Sequence, residues 1–126
     1  MIVKYHEVSK IDLKKYNYFL FYGDNEGLKE EIIEKNFKKN FLDNIFRYEE
    51  KEILDNKSEF FDNVLTKSFF DDEKLIIISR TTDKIKEIIE EVIEKNPKDV
   101  LVLLNSKNLE KKSTLRRLFE KQKNII

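Results

Sequence analysis

Leu75-Ile76-Ile77-Ile78-Ser79-Arg80-Thr81-Thr82-Asp83 decides the fold. Its opening, Leu75-Ile76-Ile77-Ile78, is an unbroken apolar run and reads as a strand covered on both faces, the kind that parallel sheets contain. Thr82 and Asp83 supply capping chemistry for a helix whose inner side is Ile85, Ile88, Ile89, Val92 and Ile93. Asn96-Pro97 breaks that helix, and Val100–Leu104 is the next strand.

Working outward, the same alternation recurs. Tyr18–Tyr22 reads as a buried strand that stops at Gly23-Asp24-Asn25. From Glu26 to about Lys39, Leu28, Ile32, Ile33 and Phe37 return at helical spacing. Asn44–Glu49 is a second strand. A helix over roughly Lys51–Thr66 has an apolar stripe of Ile53, Leu54, Phe60, Phe61, Val64 and Leu65. After Val100–Leu104, a last helix from about Lys111 to Gln122 turns Leu115, Leu118 and Phe119 inward, and Ile125-Ile126 opens a fifth strand that the chain end cuts off. Strand and helix alternating in this way predict an α/β domain with a mostly parallel, five-stranded sheet flanked by helices.

Composition bounds the function. The 126 residues suffice for one domain with a real core. Lys+Arg 25 balance Asp+Glu 25, so strong non-specific binding of nucleic acid by the whole surface is not expected, although a local patch can still act. With no cysteine, disulfides, thiolate metal sites and Cys nucleophiles are excluded. No run approaches the ~20 apolar residues of a membrane span. The start, Met1-Ile2-Val3-Lys4, lacks the apolar core of a secretory signal, so the expected setting is the cytoplasm.

Ligands of such folds bind beyond the carboxyl ends of the strands. After the first strand, Gly23-Asp24-Asn25-Glu26-Gly27-Leu28-Lys29 stands in the place of a phosphate-binding loop. Its glycines are one residue too close for GxxxxGK[ST], Leu28 stands where the Lys belongs, and no hydroxyl follows. Asp24, Glu26, Glu30 and Glu31 crowd the helix start with negative charge that complements the helix dipole and repels a triphosphate. Ser79-Arg80 follows the central strand where an ATPase carries a magnesium-binding Asp. Asn105-Ser106 suits a nucleotide sensor with nothing evident to sense. His6 has no partner for a metal, Asp71-Asp72-Glu73 reads as a solvated loop, and no serine sits in GxSxG. No cofactor, metal or catalytic residue is expected.

Two surface features remain. Lys67-Ser68-Phe69-Phe70-Asp71-Asp72 follows an amphipathic helix, and adjacent rings cannot both continue one helical stripe. Either one ring fills the core while the other staples the loop, or the pair anchors in a partner's pocket. The second feature is the basic tail from Lys107 to Lys123, with Lys111, Lys112, Arg116, Arg117 and Lys121. It reads either as a solvated helix face or as a phosphate-backbone contact of a nucleic-acid-binding module.

Several strings, in this order and spacing, resemble the DNA polymerase III delta subunit family, the clamp-opening subunits of bacterial clamp loaders. They are Tyr18–Asp24, Ser68-Phe69-Phe70 followed by Leu75–Ile78, and Val100–Leu104 followed by Asn108–Arg116 and Glu120-Lys121. The resemblance covers essentially residues 1–126 and implies a single AAA+-like (P-loop NTPase-like) N-terminal domain without a functional nucleotide site. The family's lid and collar domains, which hold the other loader subunits, lie beyond it. The implied function is non-catalytic. As part of the polymerase III holoenzyme, the subunit binds the sliding clamp (the beta subunit) and helps to open it during DNA replication, with weak or indirect DNA contact and no membrane. In the family a Ser-Leu-Phe type motif plugs an apolar clamp pocket. Here it matches Ser68-Phe69-Phe70, with Phe69 in place of the commoner Leu. Lys67 and Thr66 precede it, Thr66 standing where many clamp-binding peptides have Gln.

Overall fold

The computed structural model describes residues 16–37, 44–65, 73–95, 97 and 99–121. The elements run β1 (Tyr18–Phe21), α1 (Glu26–Asn36), β2 (Ile45–Glu49), α2 (Glu50–Asp55), α3 (Lys57–Leu65), β3 (Lys74–Thr81), α4 (Lys86–Lys95), β4 (Val100–Ser106) and α5 (Thr114–Lys121). A 3₁₀ turn, Asp83–Ile85, leads into α4. Among the described residues the sheet has four strands, not five, in the order β1-β4-β3-β2, with all pairs parallel. Ile125-Ile126 falls outside the described residues.

The central run behaves as its composition requires. Leu75 and Ile77 face one side, where Phe19, Leu103, the α1 residues Ile32 and Ile33 and the C-cap residue Phe37 complete a core. Ile76 and Ile78 face the other, packed with Ile53, Phe60, Val64, Ile85, Ile88, Ile89, Val92, Leu115 and Phe119. One face is thus covered by α1 and the other by α2–α5. Because both faces are dry, no alternation of polar and apolar residues survives along β3.

Three expectations are corrected. The single helix over Lys51–Thr66 is two, parted at Asn56, whose backbone turns to φ −146°, ψ 72°. The N–H of Asn56 closes α2 on the carbonyls of Glu52 and Ile53, each at 3.2 Å. Its side chain then starts α3, with Oδ1 accepting from the N–H of Glu59 at 3.3 Å and Nδ2 donating to the Glu59 carboxylate at 2.7 Å. An Asn that can serve both ends competes successfully with one more helical residue. Leu65, assigned to the inner stripe, is exposed. The last helix starts at Thr114 rather than Lys111.

Asp83 caps a different helix from the one expected. Thr82 serves the 3₁₀ turn, its hydroxyl accepting from the N–H of Lys84 at 3.3 Å. The carboxylate of Asp83 instead reaches α5, accepting from the Ser113 hydroxyl at 2.5 Å and from the N–H of Leu115 at 3.1 Å. The Ser113 bond, with help from backbone N–H groups of α5, holds the Asp83 carboxyl below the usual carboxylate range. A lowered folded value means that this stabilisation is complete above the unfolded pKa of about 3.9 and is lost as the pH falls through the folded value. Asp83→Ala is expected to cost about 0.5–1 kcal/mol at pH 7, the lower part of the range for caps because the site is open to water. Urea melts at pH 7 and pH 3 check this, since the wild-type advantage should shrink in acid.

Candidate functional site

The two faces of the sheet locate the crevice. The chain leaves β1 for α1 on one face and leaves β4 for α5 on the other, so adjacent strands β1 and β4 diverge there. In parallel α/β sheets that divergence is where ligands settle. Gly23, at φ 129°, makes the turn out of β1, a conformation that a side chain would strain. Asn25 then caps α1, its Oδ1 accepting from the N–H of Leu28 at 3.0 Å.

Most of the polar groups at this crevice are occupied by one another. Lys29 is buried, and its Nζ donates to the carbonyl oxygen of Ser106 at 2.6 Å and to Glu26 Oε1 at 2.7 Å. The ammonium therefore bridges the first turn of α1 to the end of β4. The Glu26 carboxyl lies below its ordinary range, first because of the Lys29 hydrogen bond, with contributions from Asn105 and Lys107. Thr81 and Ser106 share a hydroxyl–hydroxyl hydrogen bond across the β3–β4 register shift. Glu50, buried at the start of α2, accepts from the Thr82 N–H at 2.8 Å and from its hydroxyl at 2.9 and 3.0 Å. Chemically this edge is a set of internal ties: Lys29 joins α1 to β4, and Glu50 joins α2 to the end of β3.

Sequence reasoning read Lys29 only as a residue beside a misplaced Leu28. Lys29→Met keeps the aliphatic stem but leaves the Ser106 carbonyl without its buried donor, and is expected to lower stability by about 1–3 kcal/mol. Chemical denaturation of the two proteins at neutral pH checks it.

Asn105 and Ser106 are both buried, and Asn105 Oδ1 has no hydrogen-bond partner among the described residues. Among the described residues no group of three His, Asp or Glu side chains is placed to hold a metal ion. No described helix is long and apolar enough to cross a membrane.

The basic tail is partly committed to the fold. Arg116 Nε pairs with Glu120 at 2.8 Å, its Nη1 donates to the Leu109 carbonyl at 2.9 Å, and the guanidinium stacks 5.0 Å from the Tyr22 ring centre. Arg117 Nε donates to the Lys111 carbonyl at 3.2 Å, and Lys112 pairs with Glu110 at 3.3 Å. Arg116 thus pins α5 to the turn after β1, a role invisible in a count of charges. Gln122 and Lys123, at the end of the expected stretch, lie outside the described residues.

Thr66, Lys67, Ser68, Phe69 and Phe70 also lie outside the described residues, as does His6. Their points of attachment are described. The chain enters this connection from Leu65, the last residue of α3, and resumes through Glu73 into β3. The supporting body is firm on the α3 side: Phe60 is buried against Tyr48, with ring centres 5.4 Å apart, and Val64 is buried beside it.

A parallel α/β domain whose switch-point crevice is bridged by its own lysine is therefore the class to which this molecule belongs. The sequence model of the family "DNA polymerase III, delta subunit" matches residues 19–126, most of the chain, and the chain belongs to that family. The family serves DNA replication as a component of the clamp loader. Neither a curated protein nor a solved structure matches the chain.

Proposed function

We propose that this chain is the clamp-binding, non-catalytic body of a clamp-loader delta subunit, with an AAA+-like fold. Ser68-Phe69-Phe70 would dock in an apolar pocket of the sliding clamp, with Lys67 and Thr66 lining the approach. The α3 surface from Phe60 to Leu65 would press on the clamp beside the pocket. Family membership carries this reading, together with the position of the Phe-Phe pair between α3 and β3.

The chemistry of the crevice supports a role without nucleotide turnover, because the Lys29 ammonium is spent on Ser106 and Glu26. A partner shifts a ring from closed to open only by the amount it prefers the open form, so binding energy suffices in place of hydrolysis. The engagement of Arg116 with Glu120, Leu109 and Tyr22 weighs against a nucleic-acid module built on the Lys107–Lys123 face. The other loader subunits and a cytoplasmic setting follow from the same reading. The test is capture of a bacterial sliding clamp by the chain and by its Phe69→Ala/Phe70→Ala variant. Equal capture by both would refute the anchor.

A further inference from the structure

Three consecutive residues where β3 ends are tied to three different elements. Thr81 shares its hydroxyl hydrogen bond with Ser106, the last residue of β4, whose carbonyl holds Lys29 of α1. Thr82 donates its N–H and its hydroxyl to Glu50, the first residue of α2. Asp83 accepts from Ser113, just before α5, and from Leu115 in its first turn. Thr81, Ser106, Glu50 and Ser113 are buried, so every tie has a partner that is costly to leave unpaired.

The residue that leads into this run is strained. Arg80 has φ 56°, and the β3–β4 register shifts between Ser79 and Thr81. A residue other than glycine is uncommon at such a φ and persists there only where its surroundings fix it. The side chain of Arg80 does not supply that hold: it is 79% exposed, and its Nε lies 3.9 Å from the Glu49 carboxylate, too far for a hydrogen bond. The three ties that follow do. We propose that residues 80–83 form a strained coupler: the ties jointly keep Arg80 in its conformation, so releasing one lets the junction relax and loosens the others. Glu50 and Ser113 bond to this junction and not to each other. Displacing the start of α5 therefore loosens α2, the helix that leads into α3, and the reverse holds by reciprocity. The coupling is a property of this chain alone and stands apart from the clamp-binding reading.

Amide hydrogen exchange of the chain, followed residue by residue by NMR, tests it. Glu50→Gln keeps the shape of the side chain but offers Thr82 one acceptor oxygen instead of two. It is expected to speed exchange of the Leu115 and Arg116 amides by about 3- to 30-fold beyond any change at Ile77, whose buried place on the central strand makes it a reporter of global opening. Ser113→Ala is expected to act to a similar extent on the Asn56 amide, which closes α2. Arg80→Gly removes the strain, and in that background both effects are expected to shrink to within about twofold of Ile77. If the amides across the junction keep pace with Ile77 in Glu50→Gln and in Ser113→Ala, the ties act separately and the proposal falls. Excess exchange that survives undiminished in Arg80→Gly also overturns it, because the strain is then not the link. Should Glu50→Gln fail to fold, Ser113→Ala decides the matter from the other side.

Discussion

Replacing Phe60 with Ala is expected to lower the unfolding free energy by about 3–5 kcal/mol, the usual cost of deleting a buried ring. The side chain is 2% exposed and lies in the larger core, with edge-on contacts to Tyr48 at 5.4 Å and to Phe61 at 5.7 Å. It is the buried ring by which α3 holds the sheet, and α3 is short, so its neighbours cannot easily close the void. Domains of this kind are stable by only about 5–15 kcal/mol, so the variant loses a large share of the total. Urea denaturation at neutral pH measures the loss. A change below about 1 kcal/mol would mean that α3 does not pack on the sheet as described. Clamp affinity should fall with it, because the same helix leads into the Thr66–Phe70 segment.

The second large effect concerns binding. Replacing Phe69 and Phe70 together by Ala is expected to reduce clamp affinity by about 10²–10⁴-fold, since each fully buried ring contributes roughly 1.5–3 kcal/mol and each 1.4 kcal/mol is tenfold. The expectation assumes that both rings enter the pocket, and the single variants divide it between them. An unchanged urea midpoint in the double variant would show that the loss lies in the contact and not in the fold. Unchanged affinity would remove the basis of the clamp-binding reading. Titration calorimetry supplies the affinity, and circular dichroism the urea midpoint.

Much of the fold was legible because burial on both faces writes itself as uninterrupted apolar runs. Leu75–Ile78 and Val100–Leu104 could only be interior strands, and the helical periods of Ile32, Ile33 and Phe37 and of Ile85–Val92 named their own inner sides. The division of α2 from α3 was not legible, because the apolar stripe continues across Asn56. The signal was the Asn itself with Glu59 three residues on, a pairing that also occurs within uninterrupted helices. Leu65 followed the stripe but, as the last residue of α3, stands exposed.

The crevice was half legible. The failed phosphate-loop spacing and the acids around Glu26 were plain, whereas the bridge from Lys29 to Ser106 joins residues 77 apart in the chain. No local pattern encodes a meeting that only the strand order creates. The same holds for Arg116, whose partners Tyr22 and Leu109 become neighbours only once α5 docks beside β1.

The place of β3 in the sheet has a mechanical consequence. After residues 66–72 the chain passes through Glu73 into β3, which is hydrogen-bonded along both flanks, to β2 and to β4. A tug on that connection enters the sheet along the strand axis, where the rungs on either side must shear together instead of peeling one at a time. A partner bound to that connection, as proposed for the clamp, would meet an interior strand as a stiff handle, with force carried through the domain without unravelling its margin.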